Sequence, residues 1–299
     1  MAKTERPTEG GAALFRRLLA GLMLVLLAGG IGAASIFGGL AVAPMLVERL
    51  AGSDPTPPML ASLYTLLIFA PIAIAAVAAT RLVPGRVIST GRKPLGWMLT
   101  GISIGGCGLL LSASFAGFSQ TIEQGESPTG WALLLLAGAM VTLLQAGAEE
   151  LLLRGFLQPS LVRHWGQWAA LVAASLVFMA LHLVGEPRGA IEIVNLCLAG
   201  GLFGILALRT GGVVAPIAAH WAWNCAETLV LGLSPNPGIG EFGSLIDLDM
   251  RGAAIWGGSA AGLNGSISTS LVLIALTLPL LLWRPAPIAP PAIDGVAGH

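Results

Sequence analysis

Apolar runs long enough to cross a bilayer recur eight times in this chain, near residues 18–42, 58–80, 95–117, 131–156, 167–184, 191–208, 213–233 and 267–283. A helix needs about 20 such residues to traverse the hydrocarbon core, so the fifth and sixth runs are short for full crossings. Hydrophobic residues make up 55% of the chain and charged residues 10%, with a mean hydropathy of +0.84. That balance excludes a soluble globular domain and reads as all-α, a polytopic transmembrane helical bundle. Its first partner is the lipid bilayer, and a formal net charge of zero argues against nucleic acid.

Basic residues set the orientation. Lys and Arg collect on the cytoplasmic side of membrane proteins. With the N-terminus inside, twelve of them face the cytoplasm: Lys3, Arg6, Arg16, Arg17, Arg81, Arg86, Arg92, Lys93, Arg154, Arg163, Arg209 and Arg284. Only three, Arg49, Arg188 and Arg251, fall on the other side. The bias selects two cytoplasmic termini and an even number of spans, hence eight rather than seven. The basic N-terminus and Ala41-Val42-Ala43 imitate a signal peptide, but the apolar run from Leu18 to Val47 far exceeds an h-region of about 7–15 residues. It reads as an uncleaved first helix.

The expected layout is a cytoplasmic segment over 1–17, three generic helices over 18–130 and a core of helices four to seven over 131–233. An external loop over 234–266, rich in Gly, Ser, Pro and Asn, would cap the bundle. A last helix over 267–284 and a disordered, proline-rich tail over 285–299 complete the chain. Cys107, Cys197 and Cys225 lie in apolar segments without CxxC spacing and read as small core residues.

Three patterns interrupt the apolar core: Glu149-Glu150-x-x-x-Arg154, Phe178-x-x-x-His182 and His220-x-x-x-Asn224. Ionisable side chains are costly inside a membrane and mark function when they persist there. Each pattern has i, i+4 spacing, which puts Glu150 with Arg154, Phe178 with His182, and His220 with Asn224 on one helical face. Glu149 points about 100° away from Glu150. A hairpin turn near His164-Trp165-Gly166 would bring Glu149, 16 residues before Trp165, level with His182, 17 after it.

Depth raises a conflict. Glu149 lies 18 residues from Trp131, or ~27 Å along a helix, whereas His182 is close to Gly185-Glu186-Pro187 on the external side. The two can meet only if the fifth helix ends inside the membrane, with Gly185–Gly189 dipping into a water-filled cavity. The site would then lie in the cytoplasmic half, below a protruding hairpin.

A carboxylate beside a histidine can deprotonate a water for attack on a carbonyl, and a histidine with an asparagine can donate to the resulting oxyanion. Arg154 would keep the carboxylate pair ionised and oriented. Alternatively Glu149, Glu150, His182 and His220 would hold a catalytic divalent metal such as zinc, although no HExxH is present.

In this order and on these helices the three patterns resemble the CAAX protease and bacteriocin-processing family of intramembrane proteases (CPBP, or Abi), which includes the type II CAAX prenyl endopeptidases. Gly201-Leu202-Phe203-Gly204 through Leu208-Arg209-Thr210-Gly211 looks like the family's stretch before its last motif. The resemblance covers about Trp131 to Leu233. It implies that Glu149 with His182 activates water, that His220 with Asn224 forms the oxyanion hole, and that Glu150 and Arg154 support them. Members of the family have been described both as metalloproteases and as metal-free glutamate proteases; metal-free catalysis is the reading taken here.

Each residue also has a plainer explanation. The glutamates and Arg154 can be a buried ion pair, His182 can satisfy a backbone carbonyl, and His220 with Asn224 can bond a neighbouring helix. Phe178 reads as packing. Glu227 shares the face of His220 and Asn224 and is expected as a supporting partner of His220; Asn195 would line the cavity. The expected function is hydrolysis of a peptide bond in a hydrophobic or membrane-associated peptide. The alternative is a transporter or regulatory scaffold using the cluster for ligand or proton binding. The Ala/Gly/Leu-rich composition points to a multi-pass protein of a bacterial cytoplasmic membrane, where prenylated substrates are not expected.

Overall fold

The computed structural model describes residues 10–51, 54–83, 88–125, 131–184, 188–236 and 242–283. The tail over 285–299, the first nine residues and the 185–187 part of the expected dip lie outside the described residues. The architecture is nearly all helix: α1 (Gly11–Ala51), α2 (Pro57–Thr80), α3 (Pro94–Phe118), α4 (Ala132–Glu150), α5 (Gln158–His182), α6 (Ala190–Thr210), α7 (Val214–Cys225) and α8 (Ile267–Leu282). All eight apolar runs are helical. Five stretches are long and apolar enough to cross a membrane: α1, α2, α3, the stretch from α4 through α5, and α6.

Two π-helical segments, Leu151–Leu157 and Ala226–Val230, follow α4 and α7. The first joins α4 to α5, and the chain reverses at Gly166, whose φ of 79° lies in the left-handed region that glycine enters without strain. This is where the sequence puts the hairpin turn. The turn docks on the start of α1, where the Arg17 guanidinium donates to the His164 carbonyl at 3.1 and 2.9 Å. At the other end of the hairpin α5 stops at His182, and its Leu181 packs on Gly32, near the middle of α1.

Small residues position α7. A Cβ at Gly101 would sit 2.5 Å from the Ala215 carbonyl oxygen, and one at Gly105 would overlap that of Ala219. The backbones of α3 and α7 therefore touch along a Gly-x-x-x-Gly face, the close approach that membrane helices use in place of hydrophobic drive. Gly105→Val is accordingly expected to force α3 from α7 and lower the melting temperature of the detergent-purified protein sharply. Gly106→Val, which faces open space, should leave it near the parent value.

Because Ala219 meets Gly105, the next residue, His220, lies level with the middle of α3. The fourth helix runs on through the π segment to Trp165, so Glu149 stands 17 residues after Ala132 and 17 before Gly166. The loop before α8 is partly ordered as a small sheet, an element that an all-helical reading omits. β1 (Ile122–Gln124) pairs antiparallel with β3 (Leu248–Met250), which pairs parallel with β2 (Leu233–Ser234). Ser266 then caps α8 by accepting from the Thr269 amide at 3.2 Å.

Candidate active site

The α4–α5 hairpin brings the first two patterns together. Glu149 Oε2 lies 3.9 Å from His182 Nε2 and has no hydrogen-bond partner although it is buried. His182 Nδ1 is 2.8 Å from the Phe178 carbonyl oxygen. That oxygen can only accept, so Nδ1 donates to it and Nε2 is the ring nitrogen turned toward Glu149. One water hydrogen-bonded to both atoms can sit beside the pair.

Glu150 faces the opposite way, as the helical period requires. Fully buried, its Oε1 accepts from Arg154 Nη1 and from His220 Nδ1, both at 3.0 Å. Arg154, 3% exposed, donates a second bond of 2.8 Å from Nη2 to the Gly200 carbonyl. One turn further on, Gln158 Nε2 donates to Gly204 at 2.9 Å. Both contacts depend on the glycines of α6, where a Cβ at Gly204 would meet Leu171. The guanidinium sits 5.2 Å over the Phe178 ring and 5.8 Å over that of Phe203. Phe203 in turn stacks on His220 at 4.8 Å and 16°. Phe178 touches His182 at 4.5 Å and His220 at 5.8 Å, and so spaces the two histidines.

Two cavities meet here. One, of about 140 Å³, sets His182, His220, Asn224, Glu227, Asn195 and Asn264 against an apolar wall that includes Phe178, Phe203 and Leu273. The other, of about 630 Å³, is a largely apolar groove between α1, α2 and the hairpin, walled by Ile36, Leu60, Ile68 and Leu152 with Glu149 and His182 at its floor. Gln145, Phe178, His182 and Arg188 border both. All five expected catalytic residues thus line a cavity or touch one that does.

One expected pairing is corrected. His220 takes Glu150, not Glu227, as its carboxylate partner, because α4 packs on α7 at that level and its Ala139 carbonyl also receives Trp221 Nε1 at 2.9 Å. Glu227, one turn beyond Asn224, instead accepts from Asn264 in the external loop at 2.9 Å. Asn195 lines the cavity as expected and also holds that loop, donating to the carbonyls of Asn264 and Ser266, both at 2.8 Å.

Sequence reasoning missed Gln145, Phe203 and Arg188. Gln145 is four residues before Glu149 on the same face, a spacing that was there to be read. Arg188 donates to the His182 carbonyl at 3.2 Å and pairs with Glu192 at 2.6 Å. It therefore closes the C-terminus of α5 beside His182.

The donors do not assemble as a metal centre. Glu149 with His182 and Glu150 with His220 form two separate pairs, and Glu150 is also held by Arg154. Among the described residues no three His, Cys, Asp or Glu side chains converge, whereas a catalytic zinc takes three protein ligands at about 2.0–2.2 Å. As arranged, the set does not fit that ion.

A nearly all-helical chain with five stretches of membrane-crossing length and buried carboxylates beside imidazoles defines an integral membrane protein with a polar site inside its bundle. Residues 130–226, roughly a third of the chain, match the family model described as type II CAAX prenyl endopeptidase Rce1-like. The match agrees with the resemblance read from the three motifs and implies a protease of the CAAX type. No curated protein and no solved structure matches the chain.

Proposed function

We propose that this protein is an intramembrane endopeptidase that hydrolyses a peptide bond of a hydrophobic or membrane-associated peptide. In this reading eight helices cross a bacterial cytoplasmic membrane, with both termini inside. The observation that carries it is the buried Glu149 oxygen, without a hydrogen-bond partner among the described residues, 3.9 Å from His182 Nε2.

The chemistry follows from those positions. A water between Glu149 and His182 gives one hydrogen to each, so its remaining lone pairs point to the substrate carbonyl. As the water oxygen attacks the carbonyl carbon, Glu149 takes its proton. His220, protonated and balanced by Glu150, presents Nε2–H to the oxyanion, and Asn224 adds an amide N–H. The carbon–nitrogen bond then breaks as Glu149 returns the proton to the leaving amine. Phe203, stacked on His220, and Arg154, holding Glu150, fix the donor.

No step requires a metal. Exhaustive chelation of the purified protein is therefore expected to leave its peptide hydrolysis unchanged; loss of activity, restored by zinc, would contradict the water–glutamate mechanism. Asn224→Ala should lower kcat by ~10²–10³ with little change in KM, the effect of removing one oxyanion donor. An equal rise in KM with kcat intact would assign Asn224 to substrate binding instead.

A further inference from the structure

Past Asn224 the smaller cavity ends at a carboxylate that the mechanism does not use. Glu227 is 4% exposed and lines the cavity. Its Oε1 accepts from the neutral Asn264 amide, and no cation pairs with it among the described residues. The other buried acid on the same wall, Glu192, has a counter-ion in Arg188 at 2.6 Å. Glu227 and Asn264 both lie beyond the matched segment 130–226.

A buried carboxylate without a counter-ion is costly in its charged form, a cost relieved by a proton or by an arriving cation. Here the cost falls on catalysis as well. Glu227 stands one helical turn from Asn224, where a negative oxyanion would develop, and like charges there oppose each other. A positive group entering the cavity removes both penalties at once. The space, about 140 Å³, holds only a few waters at ~30 Å³ each, or one long side chain.

We propose that Glu227 is the recognition group of a subsite for a basic side chain, lysine or arginine, beside the scissile bond of the substrate. The proposal rests on the endopeptidase reading above. The larger groove takes the hydrophobic part of the peptide, and the smaller cavity takes the cationic residue, its apolar wall along the stem and Glu227 at the charge.

The test uses the full-length Glu149→Gln protein in detergent micelles and two labelled apolar peptides, identical except for lysine or norleucine at one central position. The lysine peptide should bind roughly tenfold or more tightly, as a charge-assisted hydrogen bond allows. Adding Glu227→Gln should make the two affinities equal. Adding Asn264→Ala instead, which removes the amide but keeps the carboxylate, should preserve the preference. Equal affinities in the Glu149→Gln protein, a preference that survives Glu227→Gln, or identical behaviour of the two added variants would each overturn the subsite. Cleavage of the same peptides by the intact protein reads the parent proposal separately. A lysine preference in binding without any cleavage keeps the subsite and sinks the protease. Cleavage without the preference sinks the subsite alone.

Discussion

Glu149→Gln should lower peptide turnover by ~10²–10⁴-fold, the contribution of a positioned general base, and leave the folded protein as stable as its parent. The two halves of this expectation have one cause. The Glu149 oxygen facing His182 is buried without a hydrogen-bond partner, so the carboxylate contributes little to folding and is retained for chemistry. The amide is isosteric and carries no charge to bury, but it cannot accept the water's proton. Turnover in detergent micelles, paired with thermal unfolding of the same samples, checks both halves. Lost stability alongside lost turnover would return Glu149 to a structural role.

Arg154→Met should do the reverse damage, destabilising the fold by ~3–5 kcal/mol. Removing one partner from a buried ion pair leaves the other charge stranded, and Glu150 is fully buried. The Gly200 carbonyl also loses its donor. Arg154→Lys should rescue only part of this, since a single ammonium cannot reproduce the planar fork that reaches Glu150 and Gly200 together. The double variant Glu150→Gln/Arg154→Met removes both charges and should recover much of the stability while remaining slow, because His220 no longer has a carboxylate to balance it. Denaturant or thermal unfolding reads the series; a loss under about 1 kcal/mol for Arg154→Met would mean that Phe178 and Phe203 pack adequately without the guanidinium.

The helices and the three polar patterns were legible because both signals are local. Apolar runs of membrane length name the helices, and i, i+4 spacing names the shared faces. Equal distances from Trp165 predicted that Glu149 and His182 would meet, and they stand 3.9 Å apart. Contacts set by packing were not legible. Whether His220 would find Glu150 or Glu227 depends on the register of α4 against α7. That register shows only in tertiary contacts such as Trp221 Nε1 donating to the Ala139 carbonyl. Asn264 gave no signal, since one asparagine in a Gly/Ser-rich loop looks like any other turn residue.

The most direct test of the central claim compares new peptide termini in cells producing the intact protein with those in cells producing Glu149→Gln at equal membrane abundance. Hydrolysis within the bundle predicts a set of termini, in hydrophobic or membrane-associated sequences, that appears only with the intact protein. Matching profiles across growth conditions would contradict proteolysis and favour a transporter or scaffold that uses the same buried cluster to bind a ligand or a proton.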